Sequence, residues 1–229
     1  MIRAIGVIVP AHDEQDLLPS SLRSLRRAAR AVRGTPVHLV VVADACRDRT
    51  AEVARRGGAA VVTIGARSVG AARAAGAREV LRRTGHLDPA DVWLATTDAD
   101  TLVPVSWLRQ QARLADQGWD AVAGTVWVAD WSGYPQRVRA AFRERYGAGL
   151  GPHPPVHGAN LGFRAATYLK AGGFPDAPTA EDHALVAALA ATGGQMLWTR
   201  AVTVATSARR EARAPNGFSH YLADLEATA

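Results

Sequence analysis

Short apolar runs alternate with longer amphipathic stretches along the first half of the chain. The runs are rich in Val and Ile, as buried strands are, and in the stretches between them apolar residues recur every three or four positions, as on one face of a helix. The pattern predicts strands at 3–9, 37–42, 59–64, 92–95 and 121–128, and helices at about 17–32, 48–57, 68–83 and 104–117. Strand and helix alternate four times, which favours an α/β fold with a mainly parallel sheet and helices on both faces.

The second half of the chain is less regular. Its pattern predicts an Arg-rich helix at 134–146, a Gly/Pro-rich loop at 147–155, a short strand ending at Phe163, a brief helix, a helix from about 180 to 192, two short strands at 195–198 and 202–205, and a basic, weakly helical tail at 207–229. No linker, internal repeat or low-complexity tract interrupts the sequence. We therefore expect a single domain with a smaller accessory region in its second half.

The composition argues against several classes of protein. With 229 residues and 48% hydrophobic content, the chain can bury one good core. No apolar run approaches the roughly 18 residues of a membrane helix, and the first apolar stretch is too short for a signal peptide. The one cysteine, Cys46, cannot form an internal disulfide and fits a reducing compartment. We expect a cytoplasmic protein without a transmembrane segment.

The charge of the chain is basic but dispersed. The formal net charge is +6, and all 27 basic residues except Lys170 are Arg. A nucleic-acid-binding protein usually gathers its positive charge into one stripe with aromatic residues between. Here the Arg residues are spread over several predicted helices, so we expect no nucleic-acid partner. The Arg fork also suits bidentate contacts with phosphate.

Two carboxylates follow the fourth predicted strand. The apolar run of residues 92–95 leads through two Thr residues into Asp98-Ala99-Asp100. Open α/β sheets bind ligands at the carboxyl ends of their strands, and two carboxylates this close repel each other unless a cation lies beside them. Oxygen ligands of this kind suit Mg²⁺ or Mn²⁺. A loop Asp followed by a helix-capping Asp is the alternative interpretation of the same residues.

Further charged residues follow the other predicted strands. Asp13 and Glu14 come after the first strand, Asp44 after the second, and Arg67 and Arg73 after the third. Because the carboxyl ends of parallel strands meet at one edge of a sheet, these side chains are predicted to converge on a single crevice. The convergence indicates a binding site.

Five segments, taken in chain order, carry a resemblance to a known family. They are Val9-Pro-Ala-His-Asp-Glu14, Val42-Ala-Asp-Ala-Cys-Arg-Asp-Arg-Thr50, Gly70-Ala-Ala-Arg-Ala-Ala-Gly76, Asp98-Ala-Asp100 and Glu181-Asp182. They resemble the Pro-x-x-Asn-Glu, Asp-Asp-Gly-Ser-x-Asp-x-Thr, Gly-x-Ala-Arg-Asn-x-Gly, Asp-x-Asp and Glu-Asp motifs of the inverting family 2 glycosyltransferases of the GT-A fold. The resemblance covers roughly residues 3–200. It implies one glycosyltransferase domain at 1–229, with a nucleotide-sugar-binding half at 1–100, an acceptor and catalytic half at 101–206, and the basic tail at 207–229.

The resemblance implies a donor site for a nucleotide-diphosphate sugar. Asp100 would ligate Mg²⁺ or Mn²⁺, with Asp98 on the ribose or beside the metal. The residues implied to hold the base, the ribose or the diphosphate are Pro10, Ala11, His12, Glu14, Asp44, Arg67 and Arg73. Cations and a metal beside the diphosphate would stabilise the charge that develops there as the glycosidic bond breaks.

The resemblance also implies where the acceptor reacts. Asp182 would be the general base that takes the proton of the acceptor hydroxyl. Alternatively, Glu181 and Asp182 only favour the dipole at the start of a helix. The residues expected on the acceptor side are Gly158, Asn160, Glu181 and His183, and those that could close over the diphosphate as a lid are Arg209 and Arg210.

The tryptophans and the acceptor leave several alternatives open. Trp127, Trp131 and Trp198 could stack on a sugar, although core packing is the favoured interpretation for each. The acceptor could be a small molecule, a lipid-linked molecule or a glycan. Contact with a membrane surface is compatible with each of these acceptors.

Several departures from the family pattern support two other hypotheses. Ala74, Asp13 and Ala45-Cys46 replace the family's Asn, Asn and Gly-Ser, and the Gln-x-x-Arg-Trp signature of processive synthases is absent. One alternative is therefore a non-catalytic, GT-A-like nucleotide-binding protein. The other is a nucleotidyltransferase, which would usually carry a Gly-rich loop with a Lys or Arg directly after the first strand.

Overall fold

The computed structural model describes residues 1–147, 156–177, 179–210 and 218–228. The strands are β1 Ala4–Ala11, β2 Val37–Asp44, β3 Ala60–Ile64, β4 Val92–Thr96, β5 Ala121–Val128, β6 Leu161–Arg164 and β7 Met196–Thr206. The α-helices are α1 Leu18–Ala31, α2 Thr50–Arg56, α3 Val69–Arg83, α4 Trp107–Asp116, α5 Gln136–Gly147, α6 Ala165–Lys170, α7 Glu181–Ala191 and α8 Phe218–Thr228. Within these ranges, no helix is both long enough and apolar enough to cross a membrane.

The seven strands of the described chain form one mixed sheet in the order β3-β2-β1-β4-β6-β5-β7. β1 pairs in parallel with β2 and β4, β2 pairs in parallel with β3, and β5 pairs in parallel with β7. The short strand β6 lies antiparallel between β4 and β5. The predicted α/β class with a mainly parallel sheet is confirmed. The alternation of strands and helices did not predict the inserted antiparallel strand.

Helix α3 lies unusually close to the sheet. A Cβ atom added at Gly76 would come within 2.5 Å of Ile8 Cγ2 on β1, and one added at Gly6 on β1 would come within 2.1 Å of Val80 Cγ1 on α3. Two glycines therefore allow the helix and the sheet to approach each other. The Ser68 hydroxyl caps the start of α3 by accepting from Ala71 N at 3.2 Å.

The core has two main layers and one satellite. One layer packs the sheet against α1 and α4, and the other packs its opposite face against α3 and α7. A third cluster joins the end of β5 to α5 and α8 through Val128, Val138, Phe142, Leu222 and Leu225. This satellite core adds an aromatic-rich subregion at the carboxyl edge of the sheet.

The second half differs from its predicted pattern in one strand. The two short strands at 195–198 and 202–205 are parts of one strand, β7, and the register of its pairing with β5 shifts between Gly124 and Thr125. The polar step in the pattern therefore marks an irregularity within the strand. The loop predicted at 147–155, apart from Gly147, and positions 211–217 and 229 of the tail lie outside the described residues.

Candidate functional site

One part of the candidate site is an ion-pair triad. Glu14, at the turn after β1, and Asp100, beyond the end of β4, both contact the guanidinium of Arg209. Arg209 Nη1 lies 2.6 Å from Glu14 Oε1, and Arg209 Nη2 lies 3.2 Å from Asp100 Oδ2. Both carboxylates are largely buried. A residue more than 100 positions downstream thus supplies the cation that these two carboxylates need.

The surroundings of Asp100 disfavour its ionised form. Its pKa is raised to about 7, chiefly by burial; Arg209 lowers this pKa, and the charges of Asp98 and Glu14 raise it. Carboxylate oxygens held together against their own repulsion fit a hard divalent cation such as Mg²⁺ or Mn²⁺. In this structure the Arg209 guanidinium supplies the positive charge that such a cation would bring to these carboxylates.

Arg73 is a second, deeper cation of the site. It is 4% exposed, on α3, and its Nη2 donates to Asp98 Oδ1 at 2.7 Å, while its Nη1 bonds Glu181. A Cβ atom added at Gly158 would lie 2.3 Å from this guanidinium. Gly158 and Glu181, both predicted on the acceptor side, therefore enclose Arg73. A buried guanidinium needs such partners because its desolvation is costly.

Asp182 lies in the first turn of α7, and backbone groups hold its carboxylate. Its Oδ2 accepts from Gly158 N and its Oδ1 from His183 N, both at 2.8 Å. Ala180, the residue before α7, has a φ of +58°, a left-handed conformation that turns the chain into the helix. The N-terminal end of a helix favours the ionised carboxylate. Asp182 thus has a fixed orientation beside the short turn at 158–160.

The end of β1, the residue that follows it and the end of β2 form another wall of the site. Asp44 is buried, and its two carboxylate oxygens accept from Arg67 N and Ser68 N at 2.8 Å each. His12 Nδ1 lies 2.7 Å from the Asp44 carbonyl oxygen. Asp44 therefore ties the loop after β3 to the end of β2. The residues placed together along this wall are Pro10, Ala11, His12, Asp44 and Arg67.

A small cluster borders this wall. Ligand atoms of Asp13, Cys46 and Asp48 lie within 4.8 Å of one another. The two carboxylates accept from backbone N–H groups of the same loops, including Arg47 N to Asp13 at 2.7 Å and Gln15 N to Asp48 at 2.9 Å. The bond from Arg47 N lowers the pKa of Asp13, and burial raises the pKa of the Cys46 thiol. The cluster closes two loops and needs no ion to explain it.

Asn160 and Arg210 have partners outside the crevice, whereas His183 lies next to Asp182. Asn160 is buried at 1% exposure, accepts from Trp107 Nε1 and donates to the carbonyls of Thr125 and Val202, so it joins strands and does not face the crevice. His183 is exposed on α7. Arg210 points away from the carboxylates and pairs with Glu226 at 2.9 Å.

Sequence reasoning missed two features of the site. It did not predict that Glu14 and Asp100 share one cation, because no local pattern relates positions so far apart. It also favoured core packing for Trp127, but this residue, near the end of β5, is 51% exposed. The sequence offered no signal for this exposure, since every other residue of β5 is buried and the strand shows no alternation of buried and exposed positions.

The family of the chain follows from its sequence. The model of glycosyl transferase family 2 matches residues 6–168, well over half of the chain. The chain belongs to glycosyl transferase family 2. The matched range contains the strand-end residues of β1, β2 and β4, including Glu14, Asp44 and Asp100. A search of curated proteins found no match.

Solved structures of glycosyltransferases share the fold of this family 2 member. S. aureus TarS 1–349 in complex with UDP-GlcNAc is 16% identical with a TM-score of 0.67, over 98% of this chain and 66% of that one. The mannosyltransferase PcManGT from Pyrobaculum calidifontis, in complex with GDP-Man and Mn²⁺, is 22% identical with a TM-score of 0.64, over 97% and 68%. Glucosyl-3-phosphoglycerate synthase from Mycobacterium tuberculosis, in complex with Mn²⁺, UDP and phosphoglyceric acid, is 17% identical with a TM-score of 0.58, over 90% and 72%.

These likenesses confirm the GT-A fold that the sequence motifs predicted. The chain spans less than two thirds of the length of TarS 1–349. At identities below 25%, the shared fold does not by itself identify the donor or the acceptor.

Proposed function

We propose that the chain transfers a sugar from a nucleoside-diphosphate sugar to an acceptor hydroxyl, with a divalent metal and with inversion at the anomeric carbon. One observation carries the proposal. Glu14 and Asp100 are held at the carboxyl edge of the sheet around a positive charge, beside the ion pair of the buried Arg73 with the partly exposed Asp98. Such a cluster suits a ligand that brings its own cation and several phosphate oxygens.

Asp100, with Asp98 beside it, is our candidate to hold Mg²⁺ or Mn²⁺. The oxygen donors and their burial fit such an ion, which when bound would neutralise the charge that develops on the diphosphate. In the same proposal, Arg209 exchanges its contacts with Glu14 and Asp100 for contacts with the diphosphate, and so acts as a lid. Arg210 would keep the tail anchored, because it is paired with Glu226.

The nucleoside would lie along the wall formed by β1 and β2. Pro10 and Ala11 at the end of β1, with His12 after them, offer backbone groups, and the turn at Arg67 is bonded to Asp44 at the end of β2. Asp44 would act by fixing this turn through its two backbone hydrogen bonds. A carboxylate near the base could also accept from a base N–H, which helps to select the base.

Asp182 is our candidate for the general base. As the acceptor oxygen forms its bond to the anomeric carbon, the acceptor O–H bond breaks and the proton passes to the Asp182 carboxylate. The bond between the anomeric carbon and the diphosphate oxygen breaks, and its electron pair leaves with the nucleoside diphosphate. The hydrogen bonds from Gly158 N and His183 N keep the base oriented while the proton moves.

The test is hydrolysis of a panel of sugar nucleotides with Mn²⁺ and without an acceptor. We expect slow release of nucleoside diphosphate from one donor, and a reduction of about a hundredfold or more in the Asp100→Ala variant. The Asp224→Ala variant is the matched control, since Asp224 is an exposed carboxylate on α8. Turnover unaffected by Asp100→Ala would overturn the proposal. Nucleotide binding that is indifferent to Mn²⁺ and shows no turnover would favour the non-catalytic alternative.

A further inference from the structure

An open groove lies between the end of β5 and α5. Its volume is about 650 Å³, enough for a monosaccharide with a charged substituent. The exposed ring of Trp127 lines one side, and Trp131, Arg139 and Arg143 line the rest. Trp131 is held in place by Phe142, whose ring centroid is 5.3 Å away at a tilt of 59°. The groove therefore offers a flat apolar surface next to positive charge.

The two arginines of the groove are available to a ligand. Arg139 and Arg143 are four residues apart on α5, so they project from one face of the helix, and both are exposed. Across the described part of the chain, neither guanidinium forms a hydrogen bond or an ion pair, in contrast to Arg73, Arg209 and Arg210. Two neighbouring cations without an acidic partner repel each other, and an anion between them relieves that repulsion.

The groove is joined to the donor side of the site. Arg210 lies over the ring of Tyr134, a groove residue, with Cζ 4.6 Å from the ring centroid. The adjacent residue, Arg209, contacts Asp100. In addition, Thr206, which pairs with Val128 at the end of β5, bonds the hydroxyl of Thr101 at 3.0 Å. The groove thus opens at the same edge of the sheet as the candidate metal ligands.

We propose that this groove binds the acceptor, and that the acceptor is a phosphorylated sugar or polyol. A sugar ring presents an apolar face of C–H groups that stacks on an indole, which assigns this part of the ligand to Trp127 and Trp131. A phosphate accepts several charge-assisted hydrogen bonds at once, which assigns it to Arg139 and Arg143. The proposal rests on the proposed glycosyl transfer and names the chemical class of its acceptor.

The test is calorimetric titration of the full chain with glucose 6-phosphate and, separately, with glucose. We expect glucose 6-phosphate to bind about tenfold more tightly or better, because it gains charge-assisted contacts that glucose lacks. The double variant Arg139→Gln/Arg143→Gln should lose this preference. Trp127→Ala should weaken both ligands to a similar extent, and Trp127→Phe should restore part of the affinity because it keeps an aromatic face.

Arg137→Gln is the matched control. Arg137 is an exposed arginine of the same helix that does not line the groove, so its replacement should leave both affinities unchanged. Equal affinity for the two ligands, or an unchanged preference in the double variant, would overturn the proposal. A thermal unfolding midpoint close to that of the parent chain shows that each variant is folded.

The titration needs neither donor nor metal, so it separates the two proposals. Loss of the phosphate preference in the double variant, together with donor hydrolysis that needs Asp100, supports both. A preference that depends on Arg139 and Arg143 in a chain without donor hydrolysis supports the groove as a phosphate site and rejects glycosyl transfer. Donor hydrolysis without any phosphate preference rejects the groove alone.

Discussion

Arg209 has one role in this structure and would have a second in the proposed donor complex. In this structure its guanidinium neutralises Glu14 and Asp100, and without it the two carboxylates would face each other in a largely buried place. The proposed donor complex brings a metal to the carboxylates and a diphosphate to the guanidinium. The exchange keeps every charge paired, which lowers the cost of moving the tail.

His157 connects the site to acid stability. Burial lowers its pKa to about 4, and the nearby charge of Asp182 opposes this shift. The unfolded chain takes up this proton near pH 6.5, whereas the folded chain does so only near pH 4. The contribution of His157 to the free energy of unfolding is therefore complete above pH 6.5 and is lost as the pH falls towards 4.

The corresponding prediction concerns His157→Gln. Between pH 7 and pH 4, the free energy of unfolding should fall less steeply in this variant than in the parent chain, by on the order of 2 kcal/mol over the whole interval. Urea unfolding at several pH values measures the difference. His220→Gln, at an exposed position on α8, should leave the slope unchanged. Parallel pH profiles for the parent and His157→Gln would show that His157 is not the cause.

At the scale of elements, the close approach of α3 to the sheet sets the position of Arg73. The helix can lie against β1 because Gly76 has no side chain. Arg73, one turn earlier, then reaches Asp98, which follows the neighbouring strand β4. Ser68 and Asp44 fix the start of the same helix. Packing and site geometry thus depend on the same helix position.

Gly76→Ala should destabilise the chain by about 1–3 kcal/mol, because the new Cβ would lie 2.5 Å from Ile8 Cγ2 and overpack the layer. The better helix propensity of Ala offsets part of this cost. Chemical unfolding measures the change. Gly65→Ala is the control, since nothing lies within 4 Å of its added Cβ atom. Equal stability of the two variants would contradict the close packing of α3.

At the scale of the whole molecule, the satellite core of α5 and α8 is separate from the two layers of the sheet. Leu222 and Leu225 are fully buried there, yet their partners belong mainly to the end of β5 and to α5. Smaller, separately packed clusters open at lower free energy than the main core. The groove and the anchor of the tail both depend on this satellite.

Leu222→Ala should therefore loosen one region of the molecule. We expect faster amide hydrogen exchange in α8 and the described part of α5, while the amides of β1 and β2 keep the protection of the parent chain. The cavity left by the side chain costs about 2–5 kcal/mol locally. Hydrogen exchange read by mass spectrometry resolves the two regions. Equal acceleration in β1 would show that the satellite and the sheet unfold as one unit.

The sequence by itself determined the order of the elements and the chemistry at the strand ends. Periodicity is a local property, so strands β1 to β5 and helices α1 to α4 could be predicted from it with small errors at their ends. Because parallel strands end at one edge, the convergence of Asp44, Asp98 and Asp100 followed from the same pattern. Family membership, already indicated by five short motifs, was predictable for the same reason.

Only the tertiary structure decided which distant residues meet. The antiparallel pairing of β6, the inward orientation of Asn160 and the contact of Arg209 with Asp100 join positions 35 or more residues apart. The exposure of Trp127 depends on which face of β5 the helices α5 and α8 cover. The periodicity of a segment shows which of its faces is apolar, but it does not show which distant element covers that face. That outcome depends on long-range packing.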